Sequence, residues 1–294
     1  MRVFVTGASG WVGSAITRQL LGTGHTVLGL ARSDDKAAAI AAAGADVHRG
    51  SLEDLDSLKA GAAQVDGVIH TAFNHDFSKF AQNGEDEKRA IAALGEALAG
   101  TGKPLIVTSG TGMLTPGQLA TEDTANFGGH VPRAPEAAVF AWTDKGVLTS
   151  VVRLPPSTHG KGDYGFLRMV SDIARQKGVS AYIGEGRNHW AGVHRDDAAK
   201  VYCLALEKGR AGAVYHAVAE QGVPFRELAE AIGKGLGLPV ASIGADKVDE
   251  HFGWFARFAQ IDNIASSDKT RAELGWTPTG PTLLEDIRSG AYFG

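Results

Sequence analysis

Apolar and polar residues follow two periods along the first half of this chain. Val3-Phe4-Val5, Thr26 to Leu30, Gly67 to Ala72, Pro104 to Ser109 and Thr149 to Leu154 are short, mostly apolar runs of the kind that fill a sheet buried on both faces. A shorter run, Asp46 to Arg49, completes the set. Between them apolar residues recur at helical spacing, as in Val12, Ile16 and Leu20, or Ile91, Leu94 and Leu98 within Glu85 to Gly100. An alanine-rich helix is predicted from Lys36 to Ala43, one capped by Ser51 with Asp54 three residues later, and one from Pro135 to Lys145. Strand and helix in strict alternation predict an α/β fold with a doubly wound parallel sheet.

After Pro155-Pro156 the alternation lapses. Phe166 to Lys177 and Phe225 to Leu236 read as helices, and Ala181 to Ile183 and Val193 to Arg195 as short strands. Asp196 is expected to cap a helix through Glu207, and Val214 to Ala217 to return to the main sheet. Phe252 to Phe258 is an aromatic run suited to the core of a small lobe. The division expected is a nucleotide-binding domain over residues 1–155 with return segments near 191–217, and a substrate lobe over 156–190 and 218–294. Thr115 to Pro135, rich in Gly, Pro, Thr and Asn, is the expected lid or substrate wall.

The first strand breaks into Thr6-Gly7-Ala8-Ser9-Gly10-Trp11-Val12-Gly13, a glycine loop that opens onto a helix. Gly7 suits a tight turn, Gly10 leaves room for phosphate oxygens, and Gly13 lets the helix pack close to the strand. Helix N-termini hold anions, so a dinucleotide pyrophosphate is expected here, with an ordinary turn as the plainer reading. About 20 residues on, where an acidic residue would bind the ribose of NAD, stands Arg32. A guanidinium suits a 2′-phosphate, which favours NADP(H), although Asp34 and Asp35 leave NAD open.

In an open sheet the ligand lies outside the carboxyl ends of the strands. That places Ser51 and Leu52 by the adenine, and His75 and Asp76 beyond the fourth strand. Ser109 and Thr111 are expected to turn their hydroxyls to the crevice, while His130 and Tyr164 lie in loops able to fold over it. His70 and Cys203 read as core residues.

The chain has 294 residues, 44% of them hydrophobic, and a formal net charge of −4. Neither nucleic acid nor an anionic membrane is an expected partner for such a balance. One cysteine excludes an internal disulfide, no Cys/His cluster has zinc spacing, and no signal or membrane segment is visible. The expected setting is cytoplasmic, and the expected partner a small-molecule substrate.

Together these segments resemble the extended short-chain dehydrogenase/reductase family across essentially the whole chain. The resemblance rests on the glycine loop Thr6 to Gly13, Arg32, the end of the fourth strand at His70-Thr71-Ala72, Arg153-Leu154-Pro155-Pro156-Ser157, and Val193-His194-Arg195-Asp196-Asp197-Ala198. It implies a Rossmann sheet binding NADP(H), with Gly7, Ser9, Gly10, Trp11, Val12, Gly13, Arg32, Ser51, Leu52, Thr71, Ala72, Phe73, Pro155 and Ser157 toward the cofactor, and a homodimer as a common assembly. Family chemistry uses a tyrosine and, four residues later, a lysine, which would fall near Gly128 and Pro132. No tyrosine lies between Ala72 and Tyr164. Ser109 matches the catalytic serine. Fold and cofactor follow from the resemblance and the mechanism does not; the reading preferred on the residues is a reductase of a carbonyl-type group with a different proton donor, drawn from Ser109, Thr111, His75, His130 and Tyr164. A sugar-nucleotide epimerase or dehydratase, or a non-catalytic NADP sensor or scaffold, are the alternatives.

Overall fold

The structure is a computed structural model that describes all residues except Met113, 127–132, Gly294 and the side chain of Phe77. The first strands, β1 (Arg2–Thr6), β2 (Thr26–Ala31), β3 (Asp46–Arg49), β4 (Gly67–His70) and β5 (Pro104–Gly110), alternate with α1 (Trp11–Gly22), α2 (Asp34–Ala42), α3 (Leu55–Ala63) and α4 (Phe80–Leu98). Then follow β6 (Leu119–Ala120), α5 (Pro135–Phe140), β7 (Leu148–Leu154), β8 (Ser157–His159), α6 (Phe166–Lys177), β9 (Ser180–Ile183), β10 (His189–His194), α7 (Arg195–Lys208) and β11 (Ala213–His216). The remainder holds β12 (Glu220–Pro224), α8 (Phe225–Leu236), β13 (Val240–Ile243), α9 (Val248–Phe252), α10 (Ala256–Ala259), β14 (Ile264–Ala265), α11 (Asp268–Leu274) and α12 (Leu283–Arg288).

Seven strands form one parallel sheet in the order β3-β2-β1-β4-β5-β7-β11. The alternation within β1 explains its two-sided burial: Val3 and Val5 join Ile16, Leu20 and Tyr202 on one face, while Phe4 joins Leu58, Leu94 and Leu105 on the other. Chain order reverses direction between β1 and β4, so the crevice opens above Gly7 and Thr71. A third core, with Trp190, Phe225, Phe252 and Phe255, fills the smaller lobe, as the aromatic run predicts. Among the described residues no helix is long and apolar enough to cross a membrane, and no cluster of His, Cys, Asp and Glu could hold a metal.

Several local expectations are corrected. Asp54, not Ser51, caps α3, because its carboxylate accepts the Ser57 amide at 3.1 Å. His194, not Asp196, caps α7, accepting the Asp196 amide at 3.3 Å. β10 pairs with β8 and β12 in a separate three-stranded sheet, so the return to the main sheet is made by β11 alone. β4 stops at His70, two residues early, and α5 stops at Phe140, before a short 3-10 turn over Thr143–Lys145. In the stretch expected as lid or substrate wall, of which 127–132 lie outside the described residues, β6 pairs with β14, and the buried Glu122 accepts both the amide and the hydroxyl of Thr270 at 2.7 and 2.6 Å.

Candidate active site at the glycine loop and the β4–β5 edge

The glycine loop has the shape its sequence predicts. Gly7 adopts φ +73°, and a Cβ there would lie 2.7 Å from Thr71 Oγ1. At Gly13 a Cβ would stand 2.0 Å from the Gly7 carbonyl oxygen, against 3.0 Å at Gly10. Gly13 is therefore the tightest position, and Gly10 accommodates a side chain less awkwardly than its neighbours. Gly10 caps α1 without a side chain, which leaves first-turn amides to an outside acceptor. Ser9 and Val12 are half-buried in the same turn. A cradle closed to Cβ atoms at Gly7 and Gly13 and opening on a helix N-terminus fits the pyrophosphate of a dinucleotide.

Thr6 joins this loop to β4. Its Oγ1 lies 2.8 Å from His70 Nδ1 and accepts the Ala72 amide at 3.3 Å, while Thr71 Oγ1 donates to the Thr6 carbonyl at 2.8 Å. His70 is wholly buried, and burial first, with Arg133 second, lowers it to about 3, which keeps it neutral. Cys203 is likewise a core thiol, pushed up to about 12 by burial.

At the adenosine side Arg32 is exposed at the end of β2, beside the N-terminus of α2. Asp34 forms an ion pair with Arg49 of β3, so one of the two nearby carboxylates already has a cation. Ser51 and Leu52 are half-buried past β3. Pro155 and Ser157 are both buried, and the Ser157 hydroxyl has no partner among the described residues.

The catalytic candidates do not converge as expected. Ser109 is buried and donates to Glu136 Oε1 at 2.7 Å. Thr111, also buried, donates to Asn263 Oδ1 at 2.9 Å. Both hydroxyls point into packed structure and not into the crevice. Tyr164 stands at the glycine loop, where its phenol accepts the Trp11 amide at 3.0 Å. His130 lies outside the described residues.

Among the described candidates, His75 alone stays at the β4–β5 edge. Its loop is anchored by Asn83, whose amide donates to the carbonyls of Asn74 and Asp76 at 3.0 and 2.8 Å. Phe73 packs edge-on against His75 at 5.4 Å, and the Arg133 guanidinium lies 4.4 Å above the Phe73 ring. Crowding by protein first, and Arg133 second, hold His75 below its ordinary 6.5. A histidine shifted in this direction carries less of its acid form at neutral pH than a free one.

Arg133 is the residue that sequence reading missed. It grips Glu87 through Nε and Nη2 at 2.7 and 2.6 Å and donates to the Thr108 carbonyl at 3.0 Å, which fixes a permanent cation at the carboxyl end of β5. The available signal was Glu87, four residues before Ile91 on the apolar face of α4, since a buried carboxylate demands a cation.

The sequence matches the NAD dependent epimerase/dehydratase family over residues 3–219. An uncharacterized protein of Schizosaccharomyces pombe is 50% identical over 300 residues, covering 100% of each chain. A 4-hydroxy-2-methyl-3-oxo-4-farnesyl-3,4-dihydroquinoline-1-oxide ketoreductase of Stigmatella aurantiaca is 28% identical over 73% of this chain and 67% of its own. Among solved structures, a dTDP-glucose 4,6-dehydratase of Streptomyces venezuelae with NAD bound superposes with a TM-score of 0.77 at 21% identity, over 99% of this chain and 96% of that one, a likeness of fold. With its glycine cradle, parallel sheet order and matched span, the chain belongs to the NAD dependent epimerase/dehydratase family, within the extended short-chain dehydrogenases/reductases.

Proposed function

We propose that this protein is an NADP(H)-dependent oxidoreductase that reduces a carbonyl-type group on a small molecule. The observation that carries the reading is the cradle of Gly7, Gly10 and Gly13 under the N-terminus of α1, with Arg32 at the end of β2 in the place of a ribose-binding carboxylate. The ketoreductase among its relatives supports the reaction class. When bound, the cofactor supplies a hydride. The chain's part is to hold the pyrophosphate on α1, offer Arg32 to the 2′-phosphate, and wall the crevice with Thr71, Ala72 and Phe73.

Proton supply is assigned to His75. Its loop is fixed by Asn83, and the Arg133 guanidinium, its charge balanced by Glu87, packs on the Phe73 ring next to it and holds that wall in place. Ser109 and Thr111 serve as positioning residues, since their protons are engaged in buried hydrogen bonds.

The test is consumption of NADPH with a panel of ketones and aldehydes. Steady turnover supports the reading. Tight dinucleotide binding without turnover indicates a sensor, and an altered sugar nucleotide without net cofactor consumption indicates an epimerase or dehydratase.

A further inference from the structure

We propose that Tyr164 is a place-holder for the cofactor's phosphate: its phenol oxygen takes the Trp11 amide hydrogen, and the dinucleotide binds by displacing it. This rests on the assignment of the glycine loop to the pyrophosphate. Trp11 is the first residue of α1, so its N–H is among the amides that a helix start offers to an anion. The phenol oxygen takes that hydrogen at 3.0 Å, across 153 residues of chain. An amide carries one hydrogen, and a phosphate oxygen must take it from the phenol.

Two features make the exchange a movement of one side chain. The indole under Tyr164 is fixed: Trp11 Nε1 donates to the Thr158 carbonyl at 2.7 Å, and the Arg195 guanidinium lies 4.1 Å above the ring. The backbone that carries Tyr164 is pinned on its N-terminal side by the C-terminal segment and closed behind Tyr164 by a local turn bond. His159 Nδ1 lies 2.6 Å from Asp286 of α12, Tyr292 accepts the Gly160 amide at 3.2 Å and donates to Asp163 at 3.0 Å, and Asp163 accepts the Gly165 amide at 2.6 Å. Tyr164 itself is 62% exposed and touches Trp11 only edge-on, at 5.9 Å between rings. It can leave without disturbing a core.

The experiment compares NADPH and NADH binding to the parent, Tyr164→Phe and Tyr164→Ala, followed by tryptophan fluorescence, with thermal melting as the fold control. Losing one neutral hydrogen bond from the unliganded state should tighten both cofactors by about two- to tenfold in Tyr164→Phe. In the unliganded variant the Trp11 amide should also exchange with solvent faster. Unchanged or weaker binding in both well-folded variants overturns the proposal; weaker binding would make the phenol a phosphate ligand. A parent that binds neither cofactor overturns this proposal together with the reading of the loop, whereas a parent that binds while the variants bind no tighter overturns this one alone.

Discussion

Arg153 and Glu136 form a buried bidentate pair, Nε to Oε1 at 2.9 Å and Nη2 to Oε2 at 2.7 Å, and the same carboxylate accepts the Ser109 hydroxyl. The pair ties the end of β7 to α5 and fixes the end of β5 from below. Glu136→Gln should leave the Arg153 cation uncompensated at 2% exposure and cost about 3 to 5 kcal/mol in chemical denaturation. Burial pushes the Glu136 carboxyl up, but the bonds and charge of Arg153, with Asn126 and Ser109, outweigh it and hold it below 4.5. A depressed carboxylate stabilises fully above its unfolded value and loses that contribution as pH falls through its folded one. The variant should therefore show a flatter loss of stability on the acid side of pH 4.5 than the parent. Equal acid sensitivity of the two proteins would count against the pair.

The glycine cradle predicts an order of severity. Gly13→Ala drives a methyl to 2.0 Å from a backbone carbonyl, which no rotamer relieves, whereas Gly10→Ala meets the same carbonyl at 3.0 Å. NADPH binding should vanish in Gly13→Ala and weaken far less in Gly10→Ala, as read by fluorescence titration. The reverse order would remove the cradle as the cause.

Arg32 should choose between the two cofactors. Losing a charge-assisted contact to a phosphate costs about 1.5 to 3 kcal/mol, so Arg32→Ala should weaken NADPH by about tenfold or more and leave NADH nearly unchanged. Equal losses for both cofactors would overturn the assignment.

His75 sets a pH profile. Its pKa lies below 6.5, so its acid form is scarce at pH 7 and grows as pH falls. The NADPH-dependent rate should rise from pH 7 downward and level off below the shifted value, and His75→Ala should lose this limb with about 10² to 10⁴ of the rate. If His75→Ala, His130→Ala and Tyr164→Phe each left the rate within about twofold of the parent, the proton would be assigned to solvent.

Sequence alone determined the layering and the cradle. Strand burial on two faces and helical spacing are local periodicities, and the glycines act through their own backbone and immediate neighbours, so both are readable without knowing what packs on them. The pairing of side chains was decided by tertiary structure. Ser109 and Thr111 looked alike as hydroxyls at a strand end, yet Glu136 and Asn263, 27 and 152 residues away, claim their protons. Tyr164 reached the Trp11 amide instead of the β4–β5 edge because α12 pins its strap there. Arg133 reached the carboxyl end of β5 through Glu87, 46 residues before it. A hydrogen bond depends on angstrom-scale distance and on which partners burial leaves available, and neither quantity is written in the spacing of residues along the chain.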